Sequence, residues 1–259
     1  MDLGLAGRKA IVCASSQGLG LACAESLARE GALVYINGRH REKLEAAAAE
    51  LAHRTGAQVV PVQADITTAS GREALLAACP EPDILVNNNA WPPPGGLDDW
   101  TPEAWHLAVQ GNMMSAIFLI QAVVRGMRQR RFGRIVSITS AMVKTPRPHM
   151  ALSTASRTGL TAFAKALSLE VACDNVTLNQ LLPERIDSPR QVAMTERLMA
   201  QHGLTWDAAR ARITDGVAAR RFGTLREFGD ACAYLCSAQA SFISGQNLQL
   251  DGGSYPGLL

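Results

Sequence analysis

The sequence predicts an α/β protein, a doubly wound, Rossmann-type sheet of seven parallel strands with helices on both faces, folded as a single domain. Two observations lead to this fold class. Short runs rich in β-branched residues alternate along the chain with longer stretches rich in Ala, Leu and Glu, which is the pattern of repeated βαβ units. Hydrophobic residues make up 47% of the 259 residues and charged residues 19%, so the chain can bury a core of that size.

The elements follow one another with little between them. The strands are predicted at 10–14, 33–36, 58–62, 84–86, 134–139, 176–182 and 247–250. The helices are predicted near 18–30, 41–54, 68–79, 102–131, 153–173 and 225–238. Thr101 before Pro102 and the pair Thr224 and Glu227 are typical helix start signals. No linker or repeat divides the chain, so residues 1–259 are predicted to form one domain.

One long segment interrupts the alternation between the sixth strand and the last helix. It covers about 184–222 and has its own helical pattern at 191–200 and 206–213. Loops of that length inside a compact domain are usually functional. We therefore predict a substrate lid there.

Composition excludes several other classes of function. A formal net charge of +2 gives no field that would argue for nucleic acid or for an anionic membrane. The most apolar long stretch, 111–124, contains Asn112, Ser115 and Gln121 and is too short for a membrane span. The six cysteines are scattered without metal-site spacing, so no metal is predicted and a cytoplasmic location is expected.

A glycine-rich turn follows the first predicted strand. The segment 13–20 reads CASSQGLG and opens the first helix. Such a turn lets backbone amides approach a pyrophosphate, and it directs a helix N-terminus at the phosphate charge. The predicted cofactor-binding residues here are Ser15, Ser16, Gln17, Gly18, Leu19 and Gly20. Arg39 follows the second strand, where a basic residue would pair with a 2′-phosphate, so NADP(H) is favoured over NAD(H).

With these motifs in order, the chain resembles the short-chain dehydrogenase/reductase family over nearly its whole length. The resemblance rests on the glycine-rich turn, Asn87-Asn88-Asn89-Ala90 after the fourth strand, the segment 181–188 and Asp251-Gly252-Gly253 near the C-terminus. It implies that Asp65, Ile66, Asn89, Pro183 and Ile186 contact the cofactor. It also implies that Asn112 and Ser140 belong to the catalytic site, and that the protein is a homotetramer or homodimer.

Three glycines of the family pattern are replaced in this chain. Ala14 stands at the first glycine of the turn, Ala90 at the glycine of the second motif and Glu184 at the glycine after Pro183. A Cβ at such positions restricts positive φ angles and close backbone approach. These changes predict an altered affinity or pose of the cofactor, although Gly18 and Gly20 keep cofactor binding the favoured interpretation.

The family's catalytic Tyr-x-x-x-Lys pair is also replaced. The resemblance implies a tyrosine thirteen residues after Ser140 and a lysine four residues later, but these positions hold Ser153 and Arg157. An aliphatic hydroxyl is a far weaker acid than a phenol, and a guanidinium stays protonated. We therefore predict a non-standard proton relay of Ser140, Asn112, Ser153 and Arg157, with His149 or Lys144 as alternative proton donors.

The leading functional hypothesis is an NADP(H)-dependent oxidoreductase that interconverts a small carbonyl compound and an alcohol. One alternative is a lyase, hydratase or isomerase on the same scaffold, and another is a non-catalytic nucleotide-binding or partner-binding protein. The substrate is a small molecule. Basic residues such as Arg185 and Arg190 favour an anionic substrate, whereas Glu184 and Asp187 oppose that charge.

Overall fold

A computed structural model describes residues 1–89 and 92–258. The seven strands of these residues form one sheet in the order β3-β2-β1-β4-β5-β6-β7, and every strand pair is parallel. The order reverses between β1 and β4, which is the switch point at which doubly wound sheets bind ligands beyond the carboxyl ends of their strands. The predicted fold class is confirmed.

The elements have the following bounds. The strands are β1 Lys9–Val12, β2 Leu33–Gly38, β3 Val59–Gln63, β4 Ile84–Asn87, β5 Gly133–Ile138, β6 Val176–Pro183 and β7 Asn247–Leu250. The helices are α1 Gly18–Arg29, α2 Arg41–Thr55, α3 Ala69–Ala78, α4 Pro102–Val109, α5 Ser115–Gln129, α6 Ala151–Val171, α7 Pro189–His202, α8 Trp206–Thr214 and α9 Leu225–Cys236.

Successive residues of each strand pack on opposite faces of the sheet. On one face, Val12 of β1 packs in a cluster with Leu27 of α1 and Phe228 of α9. On the other face, Ile11 of β1 packs in a cluster with Leu119 of α5. Because both faces are covered by helices, the strands are apolar on both sides rather than alternating.

The predicted helix at 102–131 is divided by a π-helical turn, Gln110–Met114, which joins α4 to α5. Single π turns inside α-helices occur frequently at functional sites, and this one contains Asn112. The combined stretch Pro102–Gln129 is long and apolar enough to cross a membrane by length and composition, and 44% of its most apolar window is buried inside the protein.

Two predicted helix starts are formed as expected. Thr101 accepts a hydrogen bond from the Ala104 amide (3.3 Å) with Pro102 in the first turn. Thr224 and Glu227 form the reciprocal capping box at the start of α9. The segment 184–222 contains α7 and α8, and an isolated parallel bridge between Ile186 and Gly223 joins its start to the residue that follows its end. Its movement as a lid stays a prediction.

Candidate active site

A cavity of about 430 Å³ lies beyond the carboxyl ends of the strands. It is lined by residues that follow β1, β2, β3, β4, β5 and β6, together with the first turn of α7. Ten of the predicted cofactor-binding residues line it, namely Ser16, Gln17, Gly18, Leu19, Arg39, Asp65, Ile66, Asn89, Pro183 and Ile186. Ser140 and Arg157 line the same cavity, so the two predicted halves of the site meet in one space.

The glycine-rich turn is held to the sheet by the side chain of Ser15. The Ser15 hydroxyl donates to the Val12 carbonyl (2.6 Å) and accepts from the Asn37 amide (3.0 Å). Ser15 is fully buried and therefore positions the turn rather than lining the cavity. Gly20 has a similar supporting place, because a Cβ there would lie 2.6 Å from the Ala14 carbonyl oxygen.

Ala14 and Glu184, which stand where the family pattern has glycine, differ in backbone conformation. Ala14 has a φ of 45°, in the left-handed region that a Cβ disfavours by roughly 1–2 kcal/mol. Its amide donates a hydrogen bond to Asn37 Oδ1 at 3.4 Å, and its carbonyl oxygen accepts one from the Asn88 side-chain amide at 3.1 Å. Glu184 is not among the described residues with positive φ, so its Cβ causes no such strain. Ala90 lies outside the described residues.

Basic and acidic groups share the end of the cavity near β2 and β3. Arg39, His40 and Lys43 line it together with Asp65. Burial raises the pKa of Asp65, but hydrogen bonds from the amide and hydroxyl of Thr67 and the charge of Arg39 outweigh this and lower that pKa below its ordinary value. The carboxylate is therefore ionised at neutral pH and can accept hydrogen bonds, while Arg39 and Lys43 offer positive charge to a phosphate.

Ser140 stands at the opposite end, directly after β5. Its hydroxyl oxygen accepts a hydrogen bond from the Met142 amide at 3.2 Å and caps the short turn Ala141–Val143. Because that bond uses an acceptor site of the hydroxyl, the Ser140 O–H remains available as a donor toward the cavity. Such a donor is suited to polarise a substrate oxygen.

Asn112 faces a second, much smaller space beside the main cavity. This space of about 10 Å³ is also lined by Asn87, Ser115 and Arg157. The Asn112 side-chain amide donates to the Ala108 carbonyl (3.3 Å), while the Oδ1 atoms of Asn87 and Asn112 are buried without a hydrogen-bond partner among the described residues. A polar space of this volume suits one water molecule.

Ser153 and Arg157 form a pair within α6. The Nε atom of Arg157 donates to the Ser153 hydroxyl oxygen at 3.1 Å, and Nη1 donates to the carbonyls of Ile138 (2.7 Å) and Thr139 (3.2 Å). Ser153 is 3% exposed and is not among the residues found to line either space. The guanidinium, which lines both spaces, is therefore the part of the pair that a ligand would meet.

The guanidinium of Arg157 is a buried cation. Burial and the nearby charge of Arg190 lower the pKa of Arg157 to about 10. That value still leaves the group protonated at neutral pH, so Arg157 supplies charge and hydrogen bonds rather than moving a proton. The electrostatic role of Arg157 toward a bound ligand stays a prediction.

Neither of the two alternative proton donors is among the described residues that line the main cavity. His149 is exposed with a left-handed backbone (φ 64°), and its carbonyl accepts from the Gly95 amide at 2.9 Å. Lys144 lies over the ring of Tyr255, with its Nζ atom 5.2 Å from the ring centre.

Several cavity residues lay outside the sequence predictions. His40 and Lys43 line the β2 end, and Asn88, Thr139 and Gln191 line the rest. Lys43 was detectable in principle, because it lies in the first turn of the helix that follows Arg39. Gln191 gave no signal, since its place depends on how α7 packs against the sheet.

Comparisons with known proteins agree with this architecture. The sequence profile of the family described as Enoyl-(Acyl carrier protein) reductase matches residues 13–255. The chain belongs to the short-chain dehydrogenase/reductase family. It is 34% identical to nodulation protein G of Rhizobium sp. (strain N33), over 96% of this chain and 97% of that protein. It is 32% identical to the 3-oxoacyl-(acyl-carrier-protein) reductase of Haemophilus influenzae, over 96% of this chain and 98% of the reductase.

Solved structures of this family superpose closely. L-Sorbose reductase from Gluconobacter frateurii, complexed with NADPH and L-sorbose, has a TM-score of 0.94 at 29% identity, with 100% of both chains covered. YwfH, an NADPH-dependent reductase involved in bacilysin biosynthesis, has a TM-score of 0.91 at 27% identity, covering 98% of this chain and 100% of that chain. Three of these four relatives are reductases by name, and the prediction of family and fold is confirmed.

Proposed function

We propose that this protein is an NADP(H)-dependent oxidoreductase that interconverts a small carbonyl compound and its alcohol by a proton relay without tyrosine. The observation that carries the proposal is the single cavity shared by the glycine-rich turn, Arg39 and Ser140. A nucleotide laid along that cavity would extend from the basic end near β2 to the hydroxyl at the end of β5.

The residues at the cavity wall fit an NADP-type cofactor. Gly18, at the start of α1, has a φ of +60° and leaves room for a close backbone approach, and the N-terminus of a helix favours a diphosphate. Arg39 and Lys43 would hold the 2′-phosphate, and Asp65 would accept hydrogen bonds near the adenine. When bound, the cofactor donates or accepts a hydride. The NADPH complexes among the structural relatives support this choice of cofactor.

The chain's own residues would then manage the oxygen of the substrate. Ser140 donates a hydrogen bond to that oxygen and stabilises the charge that develops on it. Arg157 adds positive charge from beneath the cavity and is held in place by Ser153. We propose that the proton comes from solvent through a water molecule bound beside Asn112, because no described side chain that lines the cavity replaces the missing phenol.

Titration with both dinucleotides tests the cofactor assignment. We expect NADPH to bind more tightly than NADH, and Arg39→Ala to weaken NADPH by roughly 10–150-fold, the range for losing a charged hydrogen bond, with little effect on NADH. Arg41→Ala, an exposed arginine in an i, i+4 ion pair of α2, is the matched control. Equal binding of the two dinucleotides would contradict the NADP(H) preference.

A panel of carbonyl compounds and alcohols tests hydride transfer itself. Ser140→Ala is expected to lower kcat on any accepted substrate about 100-fold or more, as for other groups that stabilise an oxyanion, while NADPH binding is kept. Failure to bind either dinucleotide would refute the proposal.

A second candidate is a nucleotide-binding protein without hydride transfer. The burial of Ser153 beneath Arg157 favours it. In that case NADPH binds, no compound of the panel is turned over, and Ser140→Ala changes nothing. Appearance of activity only in the Ser153→Tyr, Arg157→Lys double variant would support this second candidate.

A further inference from the structure

Three arginines of different burial line the main cavity, which Ser140 also lines. Arg157 is the most buried, with 8% of the residue exposed, the Arg185 side chain is 19% exposed, and Arg190 is exposed. Arg157 lies next to Ser140 in the fold, because its Nη1 atom donates to the carbonyl of the neighbouring Thr139.

Glu184 and Asp187 make most of their contacts outside the cavity. Glu184 pairs with Arg147, and it also forms a longer ion pair with Arg185, at 3.8 Å from the Nε atom. Asp187 receives two hydrogen bonds from Arg210, at 2.7 and 3.1 Å. Neither acidic residue is among the described residues that line the cavity. In the sequence, Glu184 and Asp187 counted against a positively charged pocket. Because neither lines the cavity, the three arginines give this part of its wall a positive charge.

The row is also under mutual repulsion. The charge of Arg190, together with burial, lowers the pKa of Arg157. Burial and then Arg147 lower the pKa of Arg185, against the opposing effect of Glu184. A bound anion would relieve this repulsion, since cations that are partly removed from water gain most from a partner of opposite charge.

Available donors complete the case for a site. Among the described residues, the Nη2 atom of Arg157 makes no hydrogen bond, whereas Nε and Nη1 are used inside the protein. The first turn of α7 also lines the cavity beside Arg190, and a helix start favours an anion. A planar guanidinium fork matches the two oxygens of a carboxylate or phosphate.

We propose that Arg157, Arg185 and Arg190 form a subsite for an anionic group of the substrate, a carboxylate or a phosphate carried next to the reacting carbonyl. This inference rests on the proposed function, since it names the substrate class of the same cavity. The cofactor's diphosphate has the same chemistry, so the test has to separate the two sources of the anion.

Matched ligand pairs measure the charge preference by calorimetric titration of the protein with and without NADP⁺. The pairs are pyruvate with methyl pyruvate, acetoacetate with methyl acetoacetate, and dihydroxyacetone phosphate with dihydroxyacetone. We expect at least one anion to bind tenfold or more tightly than its neutral partner. Equal binding within all three pairs would overturn the subsite.

Variants then assign the preference to the row. Arg190→Gln and Arg185→Gln are each expected to weaken the preferred anion tenfold or more, to leave its neutral partner unchanged and to change NADPH affinity less than twofold. Arg190→Lys should recover part of the loss. Arg197→Gln, an exposed arginine further along α7, is the control. A loss of NADPH affinity equal to the loss of anion affinity would overturn the proposal and assign the row to the cofactor.

The experiments can refute the proposed function and the anionic subsite independently of each other. Anion preference in a protein that neither binds NADPH nor transfers hydride would refute the proposed function and keep the subsite. Turnover of neutral carbonyl compounds with no preference for their charged partners would refute the subsite and keep the function. Because neither Arg185 nor Arg190 is fully buried, circular dichroism of the variants is expected to match that of the parent protein.

Discussion

The two ends of the cavity are built from opposite kinds of contact. At the β1 and β2 end, short side chains hold the backbone in place, as when Ser15 joins the glycine-rich turn to Val12 and Asn37. At the β5 and β6 end, long charged side chains form the wall, and Arg157 reaches from α6 to the carbonyls of β5. The conformation of the glycine-rich turn at the first end requires small side chains, whereas the second end is held together by a buried charged side chain. Substitutions should therefore damage the two ends in different ways.

The most severe effect is expected at the nucleotide end from Gly20→Val. A Cβ at this position would lie 2.6 Å from the Ala14 oxygen and 3.0 Å from the Ser15 Cα atom, and these backbone atoms cannot move without displacing the turn. We expect a loss of about 2–4 kcal/mol in the free energy of unfolding, of the order found for overpacked or cavity-forming changes, and at least a 100-fold weaker NADPH affinity in fluorescence titration.

Gly216→Val is the matched control, because a Cβ there meets nothing within 4 Å. It should keep both stability and NADPH affinity. If Gly20→Val bound NADPH as the parent protein does, the turn would be more adaptable than its contacts indicate, and the contrast between the two ends would be lost.

At the catalytic end, Arg157→Met tests whether the buried charge is retained at a cost in stability. Replacing buried charged groups by apolar residues of similar volume is often neutral or stabilising when no partner charge is left behind, and Arg157 has no carboxylate partner among the described residues. We expect an unchanged or higher free energy of unfolding, by up to about 3 kcal/mol, together with a loss of carbonyl reduction. Arg125→Met on the exposed side of α5 is the control. A loss of 2 kcal/mol or more would mean that the hydrogen bonds to Ser153 and β5 outweigh the burial of charge.

The difference in the free energy of unfolding between Arg157→Met and the parent protein should depend on pH in one direction. The pKa of Arg157 is lowered from the ordinary value of an arginine to about 10 in the folded protein, so the unfolded chain holds the proton more tightly. Above about pH 10 and up to that ordinary value, the unfolded state therefore binds more protons, and this group's contribution to folding stability rises with pH. The stability advantage of Arg157→Met over the parent should be full below pH 10 and decrease above it, as measured by urea unfolding at pH 9 and 11.

The comparison also explains which parts of the site could be predicted from sequence. The glycine-rich turn and Arg39 were predictable because their roles depend on local backbone geometry after a strand. Three features were not predictable, namely the inward side chain of Ser15, the π turn around Asn112 and the burial of Ser153. Each is decided by partners that are distant in sequence or by packing between elements. The same holds for Glu184 and Asp187, because the sequence does not show that Glu184 pairs with both Arg147 and Arg185 and that Asp187 pairs with Arg210.

The smallest expected effect comes from Ala14→Gly, which restores the glycine of the family pattern. Ala14 has a φ of 45°, and its Cβ costs roughly 1–2 kcal/mol in that conformation, while a glycine loses about 0.5–1 kcal/mol more conformational entropy on folding. We expect a net gain of up to about 1 kcal/mol in calorimetric unfolding. NADPH affinity should change less than about threefold, because the bond from Asn88 is made to the Ala14 backbone.

Ala218→Gly, at an exposed alanine that is not among those with positive φ, should instead lose about 0.5–1 kcal/mol. Opposite signs for the two substitutions would show that Ala14 is a strained position which the nucleotide end tolerates. Equal losses would indicate that the Ala14 methyl group packs well enough to offset its conformation. Ala14 would then stabilise this chain in place of the family's glycine. The Ala14→Gly substitution would weaken the turn and, with it, the cofactor affinity that depends on the turn.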